Sequence, residues 1–254
     1  MTGFSYQLYS SRNFPPIDAT LRMLAQMGYG RIEGYSGLFM DDAGLATLEA
    51  AMEETGLTMP TAHFGMPQVQ DTPGDVVALA KRLGVETVMV PAIEDRVKDA
   101  AGWAAFGKEL AEAGKPLLDA GLGFGWHNHA FEYADLGTSE TPLQLIMAGS
   151  EDLKLELDLA WVQVGGHDPV AEVQHWADRL IAVHVKDIAP EKECVDEDGW
   201  ADVGHGVMDW PAIVAAVNAS SAEYLVMEHD NPSDHARFAA RSIEAAKAMG
   251  WTKA

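Results

Sequence analysis

The stretch LKLELDLAW, residues 153–161, alternates strictly: Leu153, Leu155, Leu157 and Leu159 fall on one side, and Lys154, Glu156 and Asp158 on the other. A period of two marks an extended strand whose side chains leave on opposite faces. The leucine face suits packing against helices. The other face needs a space where Asp158 finds a partner or a metal, because an isolated buried carboxylate is too costly. The next segment, HDPVAEVQHWADRL (167–180), changes to helical spacing and opens with Asp168 before Pro169, a favoured way to start a helix. IAVHVKD (181–187) is again strand-like, with Val183 and Val185 alternating with His184 and Lys186.

Working outward, the same unit recurs. Short runs rich in β-branched or aromatic residues and bounded by turn residues occur at 4–9, 31–35, 58–64, 86–92, 123–129 and 223–230. Between them lie amphipathic stretches. Leu45, Leu48 and Met52 share a face after Asp41 and Asp42 and before Gly56, an N-cap and a C-terminal stop. Asp209 and Pro211 repeat the Asp–Pro opening. Eight strand candidates alternating with eight helix candidates imply parallel strands joined by crossover helices. Eight such units in 254 residues match a (β/α)8 TIM barrel. An open doubly wound sheet is disfavoured, because the first strand–helix junction, LYSSRNFPPID, lacks the Gly-x-Gly-x-x-Gly turn of a dinucleotide site. No low-complexity linker interrupts residues 1–254, so one domain is expected.

The formal net charge of −22 opposes nucleic acid as a partner, since that binding depends on Lys and Arg neutralising phosphates. It also disfavours anionic membrane surfaces. No apolar run reaches the roughly 18 residues of a membrane span, and the N-terminal MTGFSYQLYSSRNF has no basic, then apolar, leader pattern. With one cysteine, Cys194, no internal disulfide can form, which fits a reducing, cytoplasmic location.

In a barrel of this kind chemistry sits at the C-terminal ends of the strands. The polar residues there are Glu33, His63, the trio His127, Asn128 and His129 with Glu132 following, Asp158, His184 with Lys186 and Asp187, and Glu228 with His229 and Asp230. Imidazoles and carboxylates converging without cysteine form a ligand set for a divalent cation such as Mn2+, Co2+, Zn2+ or Mg2+.

At these residues the sequence resembles the sugar phosphate isomerase/epimerase group, the xylose-isomerase-like branch of TIM barrels. GWHNHAFEY (125–133), LELDLAWVQVGGHDP (155–169), IAVHVKDI (181–188), DVGHGVMDWPAI (202–213) and YLVMEHD (224–230) carry the resemblance. It implies a divalent metal held by one donor from each of strands five to eight: His127, Asp158, His184 and Glu228. At the strand-five position the epimerases of the group have a Glu, and here His127 stands, with Glu132 as an alternative donor. The Gly204–His205–Gly206 loop has His where Glu is usual, so His205 is a substrate-binding candidate. The group forms dimers or tetramers, which allows a homo-oligomer.

A metal in such a set polarises the carbonyl of a keto-sugar, a neighbouring C–H is deprotonated, and a metal-stabilised enediolate results. Glu228 and His127 are the expected bases, Lys186 and His129 the expected acids or substrate contacts. Glu33 and His63 are expected to bind sugar hydroxyls, and Trp161 and Trp126 to offer faces for a sugar ring. Reprotonation gives an isomerase or epimerase. Loss of a β-substituent gives the alternative, a lyase or dehydratase acting on a keto-glycoside or inosose. A non-catalytic sugar-binding barrel is disfavoured by the presence of all four donors, and a DNA-repair nuclease by the charge.

Overall fold

The computed structural model describes residues 3–253. The alternation in LKLELDLAW becomes strand β6 (Lys154–Asp158), with Leu155 and Leu157 fully buried in the apolar layer and Glu156 and Asp158 fully buried on the other face. The remaining barrel strands are β1 (Ser5–Gln7), β2 (Arg31–Tyr35), β3 (Thr58–His63), β4 (Thr87–Val90), β5 (Gly123–His127), β7 (Leu180–Val185) and β8 (Tyr224–Met227). They pair in parallel, and β8 returns to β1 to close the ring. A closed ring leaves no unpaired strand edge.

The crossover helices are α1 (Ile17–Met27), α2 (Asp42–Thr55), α3 (Pro73–Leu83), α4 (Ala100–Asp119), α5 (Pro142–Met147), α6 (Pro169–His175), α7 (Trp210–Asn218) and α8 (His235–Ala248). Side chains of Asp41, Asp99, Thr141, Asp168, Asp209 and Asp234 accept backbone N–H groups at six of their starts. Each such cap contributes about 1 kcal/mol. Gly28, Gly56 and Gly84 end α1, α2 and α3 with positive φ, the conformation glycine adopts without steric cost.

The main apolar core lies between the strands and the helices. Tyr6 packs edge-on to Tyr29 and tilted against Phe238 of α8, while Trp126 meets Phe106 of α4. Trp126 therefore faces the helices, which corrects its expected place against a sugar ring: it is one residue out of phase with His127, and strand alternation sends the two to opposite sides.

Three local features were not anticipated. Short helices cover Met66–Asp71 and Leu159–Val164, the second beginning directly at the end of β6. Residues Asp187–Ile188 and Trp200–Ala201 pair as an antiparallel ribbon after β7. Alternation and capping rules are blind to a two-residue ribbon.

Inside the ring, Ala182, Tyr224 and Val226 form a small apolar cluster separate from the main core. The Tyr224 hydroxyl donates to Glu86 at 2.6 Å, and the Arg31 guanidinium lies over its ring. On the same strand faces, further towards the C-terminal ends, come His184 and Glu228. The interior thus changes from an apolar floor to a polar mouth.

Candidate active site

Register brings the polar layer together. Asp158 pairs with His184 between β6 and β7, and His127 with Glu156 between β5 and β6. Single ligand atoms of His127, Asp158, His184 and Glu228 all lie within 4.8 Å of one another, and all four residues are buried. Each comes from a different βα unit. A second group, His63, His127, Glu156 and His184, meets the same criterion. A buried cluster able to hold a metal ion is thus present.

The atoms fit such an ion. Asp158 Oδ1 accepts the Trp161 N–H at 2.9 Å and so starts the short helix 159–164, while Oδ2 is buried with no hydrogen-bond partner. Glu156 Oε1 is likewise buried and without a partner, and His127 Nδ1 lies 3.2 Å from Glu156 Oε2. Unsatisfied buried polar atoms are expensive and demand an explanation. Burial pulls the His127 imidazole well below its usual range, with the nearby His184 adding to the effect, so the ring is neutral and able to ligate.

Lys186 is fully buried beside this group. Its ammonium lies 2.5 Å from Asp230 Oδ2, 3.4 Å from Glu228 Oε2 and 3.6 Å from Asp158 Oδ2. Burial disfavours the charge, but these three carboxylates outweigh it and hold the lysine above its ordinary value. Glu228 shows the converse. Burial pushes its carboxyl up, yet Lys186 and His184, whose Nδ1 is 2.8 Å away, keep it well below the usual range. Asp158, more affected by burial, is pushed up to about 7.

On the opposite side, Glu33 Oε1 accepts from Gln7 Nε2 and meets His184 Nε2, each at 2.7 Å, while Thr61 donates to Oε2. His63 Nε2 meets Glu156 Oε2 at 2.5 Å and lies 3.2 Å from Glu33 Oε1. Burial opposes protonation of His63, but Glu33 and Glu156 raise it to about 10. His129 differs: burial, then Lys186, lowers it to about 3, and its Nδ1 has no partner.

A cavity of about 480 Å³ opens above the cluster, lined in part by Tyr9, Arg12, His63, His127, His129 and Glu228. That volume suits a small molecule. Of the expected residues, His127, His129, Asp158, His184, Lys186, Glu228, Glu33 and His63 gather at this mouth. Trp161 stands beside it: Lys186 lies 5.0 Å from its ring, which also meets His129 and Trp200, but it borders a neighbouring groove. His205 does not join them, being exposed and outside the cavity lining. Its loop is tethered instead by Asp187, whose carboxylate accepts the N–H groups of Gly204, Gly206 and Met208 and the Trp210 indole. Any Cβ at Gly206 would stand 2.2 Å from Asp187 Oδ1.

Glu132 turns away from the cluster. It accepts from Trp126 Nε1 at 2.9 Å and from the His129 N–H at 2.8 Å, leaving His127 as the strand-five group among the four. Glu156 and Asp230 lie outside the expected set. Glu156 had a legible signal, since it shares the inward face of β6 with Asp158. The roles of Gln7 and Thr61 had none in single strands, because they arise from register.

The sequence pattern of the xylose isomerase-like TIM barrel matches residues 21–254. The chain belongs to the xylose isomerase-like TIM barrel family. It is similar to the rhizopine catabolism protein MocC of Rhizobium meliloti, at 24% identity over 179 residues, 59% of this chain; that match spans about half of the relative, 54% of its length. In structure, this xylose isomerase-like barrel is similar to a sugar phosphate isomerase/epimerase from Parabacteroides distasonis, with a TM-score of 0.80 at 18% identity, covering 98% of this chain and 94% of the other. It is also similar to the probable 3-DHS dehydratase AsbF from Bacillus anthracis, with a TM-score of 0.77, 12% identity and coverage of 97% and 99%. A third similar structure, the IolI protein with a bound zinc atom, gives a TM-score of 0.69, 15% identity and coverage of 98% and 96%. At these identities the likeness concerns the fold.

Proposed function

We propose that this barrel is a divalent-metal-dependent isomerase or epimerase acting on a small keto-sugar. The observation that carries the reading is the convergence of His127, Asp158, His184 and Glu228, one from each of the last four strands, beside a fully buried lysine under a cavity of small-molecule size. These four would hold the ion, with Mn2+ the first to try. When bound, the cation supplies Lewis-acid polarisation of a carbonyl adjacent to the C–H that ionises.

The chain's own groups divide the remaining work. Glu228, ionised because Lys186 and His184 flank it, takes the proton from carbon. Lys186 keeps its charge and stands within reach of the same carboxylate, so it stabilises negative charge that develops on a substrate oxygen. His127 would give its one lone pair to the ion, so the second group that moves protons is Lys186 beside Glu228 or His129 on the cavity wall. His129, neutral and with a free nitrogen on the cavity wall, gives or accepts a hydrogen bond to a sugar hydroxyl. Glu33 and His63 line the far side. The free Cys194 fits cytoplasmic residence.

One observation favours a second reading, a lyase or dehydratase on a keto-glycoside or inosose. Glu132 is committed to Trp126 and His129, so no second carboxylate from this segment faces Glu228. A single carboxylate base suffices when the outcome is departure of a β-substituent. Incubating free ketoses, 3-keto-glucosides and inosose with Mn2+ in D2O distinguishes the two. Solvent deuterium in recovered sugar supports the isomerase, and loss of water or an aglycone supports the lyase. Turnover unchanged by chelator would sink both.

A further inference from the structure

We propose that the groove beside the mouth is a second subsite that holds an aryl substituent carried by the sugar, so that the ligand is an aryl glycoside rather than a free monosaccharide. This subsite rests on the reading of the mouth as a sugar site and uses none of the four metal donors.

The groove encloses about 490 Å³, close to the volume of the mouth cavity. The indoles of Trp161 and Trp200 line it, with ring centroids 4.7 Å apart and planes at 73°. Ile188 and Trp200, both in the lining, are register partners in the ribbon after β7, which fixes their spacing. Val164 and Val195 add apolar surface, and they are 50% and 72% exposed. Among the described residues only six large apolar side chains are exposed, and these are two of them. Apolar surface left open to water in a concave site suits an apolar ligand.

The groove adjoins the mouth. Asp198 lines both. Trp161 meets the ring of His129, on the mouth wall, at 5.5 Å, and Trp200 at 4.7 Å. Lys186 of the mouth cluster lies 4.2 Å from the Trp200 centroid and 5.0 Å from that of Trp161. The Trp161 Nε1–H is buried with no partner, a donor available to an oxygen that links two parts of a ligand. An aromatic ring fits this lining better than a second sugar does. A sugar needs polar side chains grouped around its hydroxyls, whereas Glu191, Lys192 and Glu193 are exposed and the first two stand 3.4 Å from each other. Two indoles and two valines match a planar apolar ring.

Isothermal titration calorimetry with matched methyl and phenyl β-glycosides of glucose, galactose and xylose, with and without Mn2+, tests this. None carries a carbonyl, so the proton abstraction proposed above does not consume them. At least one phenyl glycoside is expected to bind about tenfold or more tighter than its methyl partner, alike with and without Mn2+. Val164→Asp and Val195→Asp are each expected to remove most of that advantage. Equal affinities within every pair in the unaltered protein overturn the subsite and leave the mouth reading intact. No binding by any glycoside overturns both. An advantage that survives both substitutions places the aryl group elsewhere and overturns the subsite. A gain shown by cellobiose but not by phenyl glucoside overturns it by making the occupant a sugar. A dimer of unaltered protein that either substitution converts to monomer in size-exclusion chromatography overturns it by making the occupant a second copy of this chain.

Discussion

Glu33 and His184 meet at 2.7 Å across the barrel interior, although 151 residues separate them in the chain. The contact joins β2 to β7 without a backbone hydrogen bond between those strands, and it orients the ring that Glu228 holds from the other side. His184 is therefore fixed at both nitrogens.

Removing Glu33 should leave that ring and His63 short of a counter-charge. Glu33→Ala is expected to cost on the order of 3–5 kcal/mol, the range for stranding one partner of a buried pair, and Glu33→Gln clearly less. Urea unfolding of metal-free protein measures both, and equal costs would show that charge is not what Glu33 contributes.

Mn2+ should raise the melting temperature of the unaltered protein but not of Asp158→Asn. At about 100 times its dissociation constant a ligand adds about 2.7 kcal/mol, which for a chain of this size is a rise of roughly 5–10 °C. Differential scanning calorimetry at fixed protein and metal concentrations provides the comparison. A rise of the same size in the variant would remove Asp158 from the metal set.

Lys186→Met is expected to lower kcat by about 100-fold or more, in the range for a positioned proton-transfer or charge-stabilising group, while leaving KM within a few-fold. The same change should also reduce stability, because Asp230, Glu228 and Asp158 lose their common cation. Steady-state kinetics on the substrate found by the D2O screen separates the two effects, and a loss confined to KM would assign Lys186 to binding alone.

Glu132 gives a pH signature. Burial raises its carboxyl to about 8, against its two N–H donors. A raised folded value means that its share of stability is fully present below about 4.5, falls as pH rises and is gone above about 8. Glu132→Gln, neutral throughout, should therefore lose less stability than the parent between pH 5 and 8. Parallel stability curves for the two proteins over that window would contradict the assignment.

Much of this architecture was legible because the determinants are local. Period-two alternation in residues 153–159 specified both faces of β6, and Asp–Pro and Gly signals marked helix ends at Asp168, Asp209 and Gly56. The inward direction of His184 and Asp158 followed from the same alternation. What stayed hidden depends on relations between distant strands. Gln7, Glu33 and Thr61 form a row only because β1, β2 and β3 share register, and the His63–Glu156 contact crosses 93 residues. Trp126 and Glu132 show the converse error: both stand in a polar segment, yet one-residue phase and a cap commit them to the helix side and to each other. His205 sits in a motif-like loop whose chemistry belongs to Asp187.

Asp158 ends β6 and starts the next helix with the same carboxylate. One of its oxygens is committed to a peptide N–H whatever fills the mouth, so the residue can offer only the other without unwinding that turn. Secondary structure thereby limits it to single-point attachment, which disfavours large ions that seek six to eight oxygens and favours small ones content with few donors, many of them nitrogen. Any ion held at the mouth would thus meet Asp158 at an oxygen chosen by a helix start rather than by the shape of the cleft.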